Sequence, residues 1–361
     1  MGKASWVRIR CRRALPSALM AVALCATAVA SPGISANGVQ YASIPAAVKG
    51  CATPCTVLIP EGRYVLTGDI NPVYINAKIV HLVGAGRGKT ILAGPPKLQA
   101  AVSFTGTSTG SSISHLTLQG PGDGSGIGIN AGSAVNIQVE DVEITGWSIG
   151  INTGGNSSRW TIANNSIHGN SGDGIFLAPG TNDCEVRANQ VYDNGSNGID
   201  INGSRNRIAD NQVLRNGQSA AFGEWDRSGI FVEAIGANAD NNTVSGNTVE
   251  KNFGRGITVR SGAAGLSTRA NSVINNKVRN NGIGIYLDTA GIRGSVIDGT
   301  QVTGNEVTGN RTDGIWLYDS GGATVSNTVV RGNTVTQSGK RPIRIDGSGV
   351  RNSVIEANVV R

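Results

Sequence analysis

In the middle and C-terminal half of the 361-residue chain, acidic, cationic and aromatic side chains fall at matched offsets from a recurring Gly-Ile-x-Leu phrase. Asp200, Glu233, Arg260 and Tyr286 sit this way on successive repeats, and Asp226 stands on the longest connection between them. Two chemistries use such a set. In β-elimination or C5-epimerisation of a uronate, a base takes the proton α to a carboxylate while a cation or hydrogen-bond donor neutralises that carboxylate. Arg255 and Arg260 offer the planar fork that grips it, and Tyr286 serves as acid or base. In glycoside hydrolysis two carboxyls flank the bond, about 5–5.5 Å apart for retention and wider for inversion. Asp200 and Glu233 make that pair, with Asp226 and Asp173 as further candidates. Phe176, Trp225, Phe231, Arg255, Asp288 and Trp316 are assigned to substrate binding. Rings in a line have little folding reason to be exposed and suit a stripe for stacking sugars. Any one Asp or Glu in a turn-rich chain serves its turn more often than chemistry; the clustering beside aromatics sets these apart. The basic run Lys251, Arg255, Arg260, Arg269, Lys277 and Arg279 favours an acidic polymer, against the plainer reading of a solvated basic face.

What must position these residues is a repeat. Asn165-Ser-Ile-His-Gly-Asn170 returns as Asn189-Gln-Val-Tyr-Asp-Asn194, Asn211-Gln-Val-Leu-Arg-Asn216, Asn247-Thr-Val-Glu-Lys-Asn252, Asn276-Lys-Val-Arg-Asn-Asn281 and Asn305-Glu-Val-Thr-Gly-Asn310. A short apolar run follows each copy, as in Gly174-Ile-Phe-Leu177 and Gly198-Ile-Asp-Ile201. The runs alternate like strands, and Gly, Asn, Asp and Ser between them break any helix. Repeats of this size mean stacked units, none able to bury its apolar face alone. Equivalent Asn stack at the strand spacing of roughly 4.8 Å and hydrogen-bond up the column, with Gly supplying positive φ at the corners.

The phrase fixes which residues face outward. Ile and Leu point in, so the residue between them points out. That column reads Gly128, Gly150, Phe176, Asp200, Phe231, Thr258, Tyr286, Trp316, Arg344. Two residues on, it reads Asn130, Asn152, Ala178, Asn202, Glu233, Arg260, Asp288, Tyr318, Asp346. Two residues before the inward Ile come Asp173, Asn197, Ser228, Arg255, Ile283, Asp313 and Arg341. The face is expected to begin bare with glycine and to become crowded with rings and charges. The surplus at 218–227 overhangs it, and function often sits on such loops.

Residues 1–36 read as a secretory signal peptide. Arg8, Arg10, Arg12 and Arg13 precede an apolar stretch at 14–30, with cleavage after Ala30 or Ala36. A secreted protein follows, with no membrane attachment after cleavage; Pro16 and Thr27 interrupt the run. The leader holds five basic residues and no acidic one, so the formal charge of +7 drops to near +2 without it. Nucleic acid is not an expected partner. Residues 37–361 form one domain, because a solenoid grows in one dimension, with 37–75 as an N-terminal cap and first coil. A helix is expected near 44–49. Cys51 and Cys55 are read as a small disulfide loop, and Cys184 as a buried thiol at a turn. Gly84-Ala-Gly-Arg-Gly-Lys-Thr90 lacks the spacing of a phosphate loop and reads as a corner. His81, His115 and His168 lie apart and carry no metal spacing.

Thr56-Val-Leu-Ile-Pro-Glu-Gly-Arg-Tyr64, the glycine turn after Leu82-Val83, and the Asn and Gly-Ile coils together resemble the right-handed parallel β-helix (pectate-lyase-like) superfamily over nearly all of the chain beyond the leader. The resemblance implies an all-β, right-handed parallel β-helix. Its members include lyases, epimerases, hydrolases and non-enzymes, so the fold leaves activity open. The Asp-Pro-His of alginate epimerases and the Asn-Thr-Asp, Asp-Asp, Gly-His-Gly and Arg-Ile-Lys set of polygalacturonases are missing, and no subfamily is assigned. No cofactor is required. Calcium is common in the family and stays open as an optional ion, although Gly122-Asp-Gly124 and Gly172-Asp-Gly174 are isolated rather than repeated. The expected function is an acidic-polysaccharide lyase or epimerase. The alternatives are a glycoside hydrolase and a glycan-binding surface protein without catalysis. The last coil, still in repeat at 352–361, is expected either to lack a cap or to meet another subunit.

Overall fold

The computed structural model describes residues 33–67, 71–223, 226–319 and 321–361. Residues 1–32 of the leader expected at 1–36, and Trp225 among the site candidates, lie outside the described residues. From Gly33 onward the chain is one parallel β-solenoid, with sheets of 24, 11 and 4 strands. The largest sheet is two lanes fused. Ser112–Gln119 and Gln138–Thr145 each cross both lanes, bending at His115 (φ 56°) and Asp141 (φ 52°). In later coils the bend is a corner between two short strands, such as Thr161–Ala163 and Ser166–His168. The 11-stranded sheet is a third wall and carries every Gly-Ile-x-Leu run.

Each wall contributes one apolar row to the core. Ile162, Val186, Ile208 and Val244 line one, Ile167, Val191, Val213 and Val249 the next, and Ile175, Ile199, Ile230 and Ile257 the third; all are buried. The corners are held by amides. The Asn211 side chain accepts from the backbone N–H and the amide of Asn189 (3.0 Å each). It donates to the Val186 carbonyl (2.9 Å) and to the Asn247 side chain (3.0 Å). That column runs through Asn165, Asn189, Asn211, Asn247, Asn276, Asn305, Asn333 and Asn358. A second column links Asn170, Asn194, Asn216, Asn252, Asn281 and Asn310. The expected stacking is therefore present at these two corners, and a shorter run, Asn206–Asn242–Asn271, repeats it at a third. Glycine is not the rule there, however. Positive φ falls on Ala188, Arg215, Lys251 and Gln337 as well, because the ladder bonds hold the turn whatever side chain points to water.

Glycine has a different task. Residues 128, 150, 174, 198 and 229 precede the inward Ile and face the core wall opposite. A Cβ on Gly198 would lie 2.6 Å from Cγ1 of Val213, and one on Gly229 2.5 Å from Cγ1 of Val249. This corrects the expected start of the outward column. Ile129 pairs with Ile151 and Asn152 with Phe176, so Gly128 and Gly150 point in and Asn130 and Asn152 head the column of Phe176. Gly126-Ile-Gly-Ile129 contains the phrase twice, and only the second copy is in phase.

The helix Ile44–Gly50 packs Ile44, Ala47 and Val48 on the first coil. Ser43 caps its start, and Lys78 Nζ donates to the carbonyls of Val48, Lys49 and Cys51 at its end. Cys51 and Cys55 form a disulfide. Ser35–Ala36 pairs with Val39–Gln40 and with the strand Cys55–Ile59. Of the two cleavage points read from sequence, the one after Ala30 leaves this strand with the domain.

Replacing Asn211 by Ala strands the Asn189 N–H and the Val186 carbonyl inside the wall, at about 1–3 kcal/mol for each unmet group. Asn211→Ala is expected to lower unfolding stability by about 3 kcal/mol in urea titration, whereas Gln212→Ala on the exposed side of the neighbouring residue stays within about 0.5 kcal/mol. Equal effects would contradict the ladder as the corner's support.

Candidate active site

The candidates meet on the outer face of the 11-stranded sheet. Strands Ile199–Ile201, Ser228–Ala234, Arg255–Ser261, Ile283–Asp288 and Ile315–Tyr318 lie side by side in that order. Register puts Phe176, Asp200, Phe231, Thr258, Tyr286 and Trp316 in one row. Glu233, Arg260 and Asp288 share the next row, and Ser228 and Arg255 the row on the other side. Asp200 and Glu233 are one strand and two residues apart, a diagonal of about 8 Å at the backbone.

Facing away from the core is not the same as facing water. Phe231 and Tyr286 are each only 1% exposed, and Asp288 is fully buried. The expected exposed stripe is corrected accordingly: Phe176 and Trp316 keep partly open surfaces, while Phe231 and Tyr286 are roofed by neighbouring side chains and connections. Tyr286 packs against Trp316 (centroids 4.9 Å apart) and Tyr318 (6.5 Å), with the Arg255 guanidinium 5.1 Å from its ring. Arg344 stacks on Trp316 at 3.8 Å.

Carboxyls from adjoining coils gather on this face. The 217–227 connection folds back over the coils that precede it. Ser219 N–H donates to the Gly195 carbonyl, and Ser196 Oγ to the Asp226 carbonyl (2.9 Å). Asp226, exposed on this loop, thereby enters the electrostatic surroundings of Asp173, Asp200 and Glu233. Burial, offset by bonds from Ser196 and the Asn197 N–H (2.8 Å), leaves the Asp173 carboxyl raised to about 6. Burial and the charges of Asp173, Glu233 and Asp226 push Asp200 well above the usual carboxylate range, although Asn202 donates to it at 2.7 Å. Glu233 is raised to about 7 by burial. Arg260, 3.5 Å away, opposes this, while Asp226 and Asp288 add to it. Arg260 also faces Asp288 at 3.7 Å. Burial and the Asp288 charge raise the Tyr286 hydroxyl. Cys184 stands in a ladder-like position, its sulfur taking the Trp160 N–H, and burial pushes its thiol up to about 11.

Sequence reasoning passed over Phe253 and Arg311. Both follow the second ladder Asn, at a corner that elsewhere reads Ser171, Gly195, Gly217, Gly282 and Gly339. The departure from small residues was a signal open to reading. Among the described residues, no group of three or more His, Cys, Asp or Glu is arranged to hold a metal ion.

The structure is thus a parallel solenoid whose outer wall carries clustered carboxyls beside stacked rings. The right handed beta helix region is matched at residues 100–273 and 227–330, and the chain belongs to that family. Its fold is similar to the A-module of mannuronan C-5 epimerase AlgE6 from Azotobacter vinelandii (18% identity, TM-score 0.55, covering 88% of this chain and 94% of that one). It is also similar to the catalytic unit of a GH87 α-1,3-glucanase from Streptomyces thermodiastaticus strain HF3-3 (15% identity, TM-score 0.63, covering 88% of this chain and 65% of that one). Among curated proteins none matches the sequence.

Because the folded state raises the Glu233 carboxyl from 4.5 to about 7, it favours the protonated form. That contribution to stability is complete below the unfolded value and is lost as pH rises through about 7. Glu233→Gln should therefore gain stability relative to the parent between pH 4.5 and pH 8 in denaturant titrations. A difference that stays flat over this window would contradict the arrangement.

Proposed function

We propose that this protein is a polysaccharide-active enzyme whose chemistry is acid/base catalysis by carboxyl groups, with glycosidic-bond hydrolysis as the reaction. The carrying observation is the meeting of Asp173, Asp200, Asp226 and Glu233 on adjoining coils, with Glu233 held near 7. A general acid works best when its pKa lies near the working pH. Glu233 is given the role of acid, donating its proton to the glycosidic oxygen. Asp226, solvent-facing on the loop, activates the water that attacks the anomeric carbon. The charge on Asp226 is one of the influences that keeps Glu233 protonated, so the two roles support each other.

Lyase or epimerase chemistry, the first expectation from sequence, is the second reading. Similar folds support both: an epimerase acts on mannuronan and a glucanase on an α-1,3-glucan. Against proton abstraction here, the Tyr286 hydroxyl is pushed up by burial, which makes it a poor base. Arg260 lies between Glu233 and Asp288, so its charge is already offset. The leader and the Cys51–Cys55 bridge support a secreted protein. A non-catalytic glycan binder would keep the rings and need none of the carboxyls.

Purified protein is to be screened on neutral and uronate polysaccharides for reducing ends and, in parallel, for the ultraviolet absorbance of unsaturated ends. Reducing ends without absorbance are expected. Glu233→Gln should lower kcat by about 10²–10⁴-fold. Asp226→Asn should lower kcat and move the basic limb of the pH profile to lower pH, since it removes a charge that raises Glu233. Absorbance rising with the reducing ends would replace hydrolysis by elimination, and a fully active Glu233→Gln would remove the acid.

A further inference from the structure

The residue that meets the Glu233 carboxyl from the next coil is a glycine. Register pairs Glu233 with Arg260 and Ala234 with Ser261, so the glutamate side chain leans diagonally across to Gly262. A Cβ on Gly262 would overlap Glu233 Oε1 and lie 3.1 Å from its Cδ and 3.4 Å from its Cγ; these are the three nearest atoms. The carboxyl therefore occupies the space that a side chain at 262 would fill. The same oxygen faces Arg260 Nε at 3.5 Å, and Glu233 is only 7% exposed.

The backbone does not ask for glycine at this point. Gly262 has no positive φ, the conformation that favours glycine. Its neighbour in register one coil earlier is Ile235, a β-branched residue exposed to water, and one coil later comes Ala290. At Gly203, by contrast, a Cβ would overlap the Thr181 carbonyl oxygen, so glycine there serves the close approach of two chain segments. Nor is the backbone at Gly262 free to yield. Its N–H donates to the Ala234 carbonyl (3.0 Å). The fully buried Ser261 before it donates through Oγ to the Leu266 carbonyl (3.1 Å) and accepts there from the Val296 N–H (3.2 Å). Between a pinned backbone and the end of a flexible side chain, an added methyl group displaces the side chain.

We propose that Gly262 is a positioning residue: by having no side chain, it leaves the seat that holds the Glu233 carboxyl under cover and beside Arg260. The seat is a matter of geometry and does not depend on which bond is cut. Its effect on turnover rests on the reading of Glu233 as the proton donor. A misplacement of about 1 Å can cost an active site on the order of 10²-fold in rate. A carboxyl pushed toward water also loses the burial that is the main cause of its raised proton affinity.

Full-length Gly262→Ala is to be compared with the parent in two ways. On a polysaccharide that the parent turns over, kcat is expected to fall about 10–100-fold with KM unchanged within about twofold. In carbon-13 NMR of protein labelled at its glutamate carboxyls, the Glu233 signal is identified by its loss in Glu233→Gln. It is expected to titrate near 7 in the parent and closer to the ordinary carboxylate range in Gly262→Ala. Glu233→Asp withdraws the carboxyl by one methylene, so adding Gly262→Ala to it should change kcat by less than about twofold. Parental kcat together with an unmoved titration in folded Gly262→Ala overturns the seat, as does a loss of kcat equally large in the Glu233→Asp background. A moved titration with parental kcat keeps the seat and takes the role of acid from Glu233. If no polysaccharide is turned over, the titration alone decides the seat. If circular dichroism finds Gly262→Ala unfolded, Glu233→Asp is expected to restore the fold in the double variant, and a double variant that stays unfolded overturns the seat.

Discussion

A hydrogen-bonded column of buried amides holds this molecule in register. A ladder Asn such as Asn211 answers the backbone of the coil before it and the side chain of the coil after it, so that the Asn189 N–H and the Val186 carbonyl are both paired. A slip of one residue in any strand would turn its apolar row outward, and it would also break two amide columns. Because the columns fix the corners, the strands between them can be as short as three residues and still present one side chain inward and its neighbours outward.

The outer wall takes its chemistry from that constraint. Register alone aligns Asp200 with Phe231 and Tyr286, and Glu233 with Arg260 and Asp288. The ionisation of these groups depends on something the strands do not supply, namely cover. Burial strips water from Asp200 and Glu233, while Asp226 stays at the surface. The sheet therefore runs from a carboxyl-rich region to a ring-lined one in which arginines face Asp288, Asp313 and Asp346.

The architecture was legible in the letters because the repeated Asn and Gly-Ile phrases report backbone geometry directly. The disulfide, the cap helix and the rows of Asp200 and Glu233 followed from spacing. Gly126-Ile-Gly-Ile129 was misread because two overlapping copies of the phrase fit and only pairing with Ile151 selects one. The burial of Phe231 and Tyr286 was not legible at all, since alternation says which side of a strand a residue occupies and not what lies above that side. Phe253 and Arg311 were readable in principle, but only by comparing corners, where attention to the apolar runs does not fall.

The long 217–227 detour leaves and rejoins the spiral at fixed points: Asn216 keeps its place beside Asn194 and Asn252, and Ser228 pairs onward with Arg255. Every winding thus begins and ends on the same footing. A gene encoding such a chain can be lengthened by copying a whole winding, or embroidered within one, and the seam is invisible to its neighbours. An excursion within one winding can therefore be added or removed by itself, while the spindle on either side keeps its form.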